Sequence, residues 1–379
     1  MKKSILTLFA LIFGTASIFA QRVPPPVPHK VQVAILLDTS GSMSGLIDQA
    51  KARIWNIVNE VSELTYEGQV PTVEFALYHY GNDQLPSSGN YIEQILPLST
   101  DLDELSQKLF ALSTNGGDEY CGAVIGEALN NLNWSTSRSD LKMIYIAGNE
   151  SFNQGPIHIN IECKKAVGKD IFINTIFCGD YDEGIREGWK DGALCSQGNY
   201  FNIDSNKEVV HVATPYDQEI QSYNDSINTT YYGYGALGDE KKIMQLEEDV
   251  NSEEMSPTSA TERSIVKSKT NVYNNSSWDL VDAADGGLDV LELSEEQLPE
   301  EFQGKTDEEK LVLIEENREE RILYQNKIAE LAKKRQDYID VEMKKRAELG
   351  EVDDFGTSVN ESIILKAIEI GFSNEAQEE

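Results

Sequence analysis

The chain has 379 residues, enough for one large domain with an appendage or for two modest domains. With 40% hydrophobic residues it can bury a sizeable core, which excludes wholesale disorder. A formal net charge of −33, acidic in both halves, excludes long-range attraction to phosphate backbones or anionic lipid. Nucleic acid is therefore a poor partner, and divalent cations or cationic partners suit the charge better.

Lys2 and Lys3 precede an apolar run over residues 5–13 that is too short to span a bilayer. Ala16-Ser17-Ile18-Phe19-Ala20 then supplies the small-residue ending that a signal peptidase reads. Residues 1–20 are expected to be a signal peptide, cleaved before Gln21, and the mature chain to be exported to the periplasm or beyond. No later stretch is long and apolar enough for a transmembrane segment. Residues 21–30 are Pro-rich and read as an extended tether.

From residue 31 the pattern changes. Residues 31–37 form a nearly unbroken apolar run, as in a parallel strand covered on both faces. Asp38-Thr39-Ser40-Gly41-Ser42 breaks it, and apolar residues then recur from Leu46 to Leu64 at helical spacing. Strands are predicted at 73–80, 91–98, 141–147, 171–177 and 200–203. Helices are predicted at 101–112, 122–132, 157–167, 184–193 and 216–228. Strands alternating with helices predict an α/β fold, a doubly wound, mostly parallel sheet over residues 31–232. Ligands gather at the carboxyl ends of such strands, where the Asp38 loop lies.

Residues 233–277 are rich in Ser, Asn, Thr and Glu and read as a polar linker. Residues 278–379 are expected to form an acidic, helical C-terminal region. Residues 306–349 lack internal Gly or Pro and predict one long helix, followed by another at 357–370. Arg318, Gln325 and Arg335 interrupt the apolar seam of the long helix, which favours a docked helix or short hairpin over a long coiled coil.

Asp-x-Ser-x-Ser after an apolar strand resembles the metal-ion-dependent adhesion site (MIDAS) of von Willebrand factor type A (VWA) domains. The chemistry suits magnesium or calcium, hard cations that take oxygen ligands. The resemblance implies a Rossmann-like fold and a metal held by Asp38, Ser40 and Ser42, with one coordination position left for a carboxylate of a protein partner. In the family a second loop adds a Thr; here Asp118 takes its place after Gly116-Gly117, with Thr114 a less favoured substitute and Glu119 on the rim. A third loop in the family adds an Asp, where this chain has Gly148, leaving Asn149 or Glu150 to reach in. Tyr120-Cys121-Gly122, residues 146–150 and Ser277-Trp278-Asp279-Leu280-Val281 also resemble a subgroup of exported bacterial VWA proteins, over most of the chain.

Four cysteines, Cys121, Cys163, Cys178 and Cys195, allow three pairings of two disulfides in an oxidising compartment. Cys178–Cys195 is favoured because both are expected in loops at the same end of the sheet; buried free thiols are the alternative. Four scattered histidines and the absence of hydrolase, metalloprotease or phosphate-loop motifs point away from an enzyme. The expected function is an exported, metal-dependent protein-binding module. The alternative is an exported scaffold whose metal site is degenerate.

Overall fold

The computed structural model describes residues 28–204, 212–348 and 355–374. The expected signal peptide and residues 21–27 of the tether lie outside them. The order is β1 (Lys30–Asp38), α1 (Ile47–Val61), β2 (Leu64–Tyr66), β3 (Thr72–Tyr80), β4 (Ile92–Ser99), α2 (Leu102–Phe110), α3 (Cys121–Asn131), β5 (Leu141–Gly148), α4 (Ile159–Gly168) and β6 (Phe172–Cys178). Two short helices, α5 (Tyr181–Arg186) and α6 (Trp189–Leu194), then lead to β7 (Tyr200–Ile203) and α7 (Asp217–Asn228).

Six strands form one sheet in the order β4-β3-β1-β5-β6-β7. All neighbours are parallel except β3 and β4, whose connection is too short for a crossover and closes as an antiparallel pair. The strand period of two sends Val31, Val33, Ile35 and Leu37 of β1 into one core and Ala34 and Leu36 into the other. The first core is covered by α1, α2 and α7; the second by α3, α4 and the Trp189 end of α6. The chain leaves β1 towards β3 on one side and later adds β5 on the other, so β1 ends at the switch in strand order, the place where such sheets hold ligands.

Residues 233–277 are not a linker. They carry α8 (Gly238–Met255) and α9 (Pro257–Lys267), and α9 starts at a Ser256 cap followed by Pro257, both signals of a helix N-terminus. Charged side chains of this stretch are buried partners. Arg263 donates to Asp103 of α2 at 2.6 Å and to Asp249 of α8 at 2.8 Å, and Lys267 donates to Asp249 at 2.6 Å. Beyond them come α10 (Leu280–Asp285), α11 (Asp307–Glu348), α12 (Phe355–Glu369) and β8 (Phe372–Asn374). The first core runs without a break into Val266, Tyr273, Trp278, Ile328, Val359 and Phe372, so packing does not stop at residue 232.

The long helix α11 docks on its own chain, against α7, α9 and α10. Its inner positions Ile314, Arg321, Ile328 and Arg335 are spaced by seven, and all four are buried. Arg335, an expected interruption of the seam, is thus part of it: it pairs with Asp217 at 2.9 Å and Glu262 at 2.7 Å. Gln325 is also buried, whereas Arg318 pairs with Asp285 nearer the surface. Arg321 donates to Asp279 at 2.7 Å, to Asp282 at 2.6 Å and to the Thr230 hydroxyl at 3.0 Å, with its guanidinium 4.0 Å from the centre of the Tyr231 ring.

The expected Cys178–Cys195 pair does not form; Cys195 bonds Cys163, with Cα atoms 5.7 Å apart. Cys178, at the end of β6, is buried as a free thiol beneath the first core, whereas Cys195 caps α6 on the side of α4, where Cys163 lies. Cys121 is likewise a buried free thiol.

Asp279 is fully buried, so deleting its cation strands a carboxylate. Arg321→Ala is expected to cost about 3–5 kcal/mol in urea unfolding. Arg318→Ala, which removes a partly exposed pair, is expected to cost under ~1 kcal/mol. Equal losses would show that burial does not set the worth of these pairs.

Candidate functional site

Asp38 is the last residue of β1 and has no solvent exposure. Its Oδ1 accepts the Ser40 N–H at 2.7 Å, while its Oδ2 is buried and has no hydrogen-bond partner in the protein. Burial pushes its pKa up to about 7; the Ser40 backbone and hydroxyl bonds oppose this, and the nearby Glu119 and Glu150 carboxylates add to it. An unpartnered, dehydrated carboxylate oxygen among other carboxylates is a costly arrangement that a cation relieves.

The loops around it are held by close backbone approach. Thr39 N–H donates to Tyr80 O at 2.9 Å, Asn115 N–H to Thr39 O at 3.0 Å, and Asn82 Nδ2 donates to Thr39 O and Ser113 O. Gly81 has φ +76°, and a Cβ there would lie 2.9 Å from Asp38 Oδ1 and 3.0 Å from Glu119 Cγ. A Cβ at Gly117 would overlap the Gly81 carbonyl. The Gly116-Gly117 turn is therefore fixed by the space between the β1 and β3 loops.

The hydroxyls of Ser40 and Ser42 are 2.8 Å apart, and Ser42 Oγ donates to Asn149 Oδ1 at 2.9 Å. The first and third loops thus meet through Ser42 and Asn149. Glu150 is exposed, and its carbonyl accepts the Trp189 indole N–H at 2.7 Å. In the second loop the structure brings Glu119 inward: it is buried, and its Cγ and Asp38 Oδ1 both border the space that a Gly81 Cβ would take. Burial raises the Glu119 pKa, opposed by hydrogen bonds that include Ser40 and reinforced by Glu150 and Asp118. Asp118 is exposed and accepts the Tyr120 hydroxyl at 3.1 Å, and Thr114 is turned to Ser44 at 2.8 Å. Counting from the glycines pointed to Asp118; the backbone puts the next residue, Glu119, beside Asp38.

Gly148 also has a physical reason. A Cβ there would lie 2.6 Å from Tyr80 Oη, 3.0 Å from Trp189 and 3.1 Å from Asp38 Oδ2. Tyr80 and Trp189, both fully buried, fill the space a third-loop aspartate needs. Neither residue was singled out from the sequence; Gly at the end of a fully buried strand was the available signal. Cys121 Sγ lies 3.6 Å from Tyr80 Oη, and burial pushes its pKa far up, which opposes a nucleophilic thiolate.

Among the described residues no group of three or more His, Cys, Asp or Glu side chains is arranged to hold a metal ion. The donors converging here are instead mixed, two buried carboxylates and two hydroxyls, the oxygen set that hard cations take. Also among the described residues, no helix is long and apolar enough to cross a membrane.

Gly148→Asp, which puts the carboxylate implied by the sequence resemblance into the third loop, is expected to cost about 1–3 kcal/mol of stability through overpacking and to leave cation affinity no higher. Thermal unfolding and calorimetry check both. A second outcome concerns pH. The folded protein without cation holds the Asp38 proton more tightly than the unfolded chain, whose aspartates titrate near about 4. The stability this contributes is complete below that value and is lost as pH rises through about 7. Asp38→Asn should remove that part of the slope in chelator-treated protein, measured by urea unfolding across the range.

No family model and no curated protein matches the chain. Among solved structures it is similar to the conserved hypothetical protein BatB from Bacteroides thetaiotaomicron, at 17% identity over 46% of this chain and 90% of that one, TM-score 0.36. It is similar to the SpRpn10 VWA domain at 12% identity over 47% and 90%, TM-score 0.35. It is also similar to proximal thread matrix protein 1 from the mussel byssus, solved with a zinc-occupied MIDAS motif, at 12% identity over 48% and 43%, TM-score 0.35. The sheet order around β1 and the helices on both faces make residues 30–203 a doubly wound, mostly parallel α/β domain with the Asp-x-Ser-x-Ser loop at the carboxyl end of its central strand.

Proposed function

We propose that the chain is an exported protein-binding module that holds one divalent cation, magnesium or calcium, at the end of β1. The observation that carries this reading is Asp38 Oδ2, a buried carboxylate oxygen without a partner beside the carboxylate of Glu119. Asp38, Ser40 and Ser42 would hold the ion, as the sequence implies, and Glu119 replaces Asp118 as the second-loop donor. Asn149 acts through Ser42, positioning its hydroxyl, and Glu150 stays at the rim. When bound, the cation supplies positive charge to a site with none of its own and an acceptor position for an acidic group of a partner protein.

Export is supported by the N-terminal pattern and by the Cys163–Cys195 disulfide, which persists in oxidising compartments. In the scaffold alternative the α/β fold and the acidic helical tail assemble with other chains without need of the metal; docking of α11 on α7, α9 and α10 leaves less of that tail available for such assembly. The cysteines lend no support to an enzymatic role: Cys121 and Cys178 are buried thiols with raised pKa values.

Titration calorimetry with magnesium and with calcium tests the site. The wild type is expected to bind one ion and Asp38→Ala none. Glu119→Gln should weaken binding by at least about tenfold, ~1.4 kcal/mol. Asp118→Asn should weaken it by no more than about threefold, as befits an exposed carboxylate acting at a distance. Equal affinity in wild type and Asp38→Ala would overturn the assignment. A larger loss in Asp118→Asn than in Glu119→Gln would return the second-loop role to Asp118.

A further inference from the structure

Helix α8 is built inside out. Its inner face is polar: Gln245, Glu248 and Ser252 are buried, with Gln245 donating to the Tyr273 hydroxyl at 2.9 Å. Its outer face carries Ile243, Leu246 and Val250, exposed by 56%, 41% and 54%. Spacings of three and four put these aliphatics on one stripe, the arrangement that a surface helix normally turns inward. Rotating α8 to bury them would pull Asp249 away from Arg263 and Lys267 and break the Lys241–Asp101 pair at 2.7 Å. The network beneath the helix therefore locks the apolar stripe outward.

The charges beside the stripe have one sign. Asp239, Glu240, Glu247, Glu253 and Glu254 are exposed along the same side of the helix. The two lysines of α8 are engaged elsewhere, Lys241 with Asp101 and Lys242 over the Tyr232 ring at 5.8 Å. We propose that this face docks a cationic amphipathic helix of a partner protein, its aliphatic stripe laid on Ile243, Leu246 and Val250 and its Lys or Arg flanks set against the carboxylates. A second copy of this chain would set like charges against each other, and an anionic lipid surface would be repelled in the same way. The cation site plays no part in this docking, so the two readings stand or fall separately.

The test is fluorescence anisotropy of the full chain, in chelator, with a labelled synthetic helix the length of α8, 18 residues, bearing leucines on one face and lysines on both flanks. Combined Ile243→Ser, Leu246→Ser and Val250→Ser should raise Kd at least about tenfold while leaving the melting temperature and cation binding unchanged. Should that variant prove unstable, Glu247→Lys with Glu254→Lys is the second arm: it should raise Kd by about tenfold and flatten the loss of affinity between ~0.05 M and ~0.3 M salt. A control helix with serine in place of leucine should bind at least about tenfold more weakly. Equal binding of that control, or of the triple serine variant, would overturn the proposal in favour of plain charge attraction. Self-association of the wild type that the triple variant loses would make the occupant a second copy. Stripe-dependent sedimentation with phosphatidylglycerol vesicles would make it a lipid surface. Either result overturns it.

Discussion

A strand packed on both faces delivers whatever ends it into a dry place, and β1 ends in a carboxylate. Four of its residues enter one core and two the other, so Asp38 reaches the carboxyl end of the sheet with no solvent exposure. The surroundings follow from that fact. Gly81 and Gly117 lack side chains because the β3 and Gly-Gly loops must come close enough to wall the carboxylate in. Tyr80 and Trp189 close the side below, which costs the chain a third-loop aspartate. One acid is thereby traded for another: the carboxylate absent at 148 is offset by Glu119, which enters from the opposite loop. The site keeps two buried carboxyl groups, and the hydroxyls of Ser40 and Ser42 lie between its loops.

Much of this architecture is legible in the sequence because periodicity reports burial. The unbroken apolar run of β1, the helical spacing after Leu46 and the strands at 141–148 and 200–203 all declare which faces are covered. The C-terminal half is less legible because it buries charge. Arg263, Lys267, Arg321 and Arg335 sit at positions where a hydrophobic pattern expects aliphatics, and each is neutralised by a carboxylate distant in sequence. A polar residue paired across 160 positions, as Arg263 is with Asp103, has no local signature. The same arginines give the helices a single docking register, since a shift by one turn would leave Asp279 or Asp103 without a counter-charge.

The candidate site divides in the same way. Asp38, Ser40 and Ser42 are contiguous, so a motif finds them. Glu119 is buried and Asp118 exposed where the Gly116-Gly117 backbone passes against Gly81, a tertiary matter that residue counting does not reach. The disulfide was misread for a related reason. Cys178 and Cys195 are close in sequence, yet the period of the sheet puts Cys178 in the first core and leaves Cys195 on the side of α4.

The small ladder between β2 and β8 carries a consequence for how the chain is made. Thr65 and Ser373 bond across 308 positions, and Phe372 packs edge-on against Tyr66, which also stacks on His29 at 3.7 Å. Residues near the start of the described chain and those near its end therefore complete one another. During synthesis from the N-terminus, the face of α1 that receives Val359, Ile363 and Ala367 stays uncovered until residues 359–367 have been made. Closing a loop of that length is slow compared with forming helices and hairpins. Until that segment is made the chain is open and acidic, and like charge opposes the association of such chains with one another.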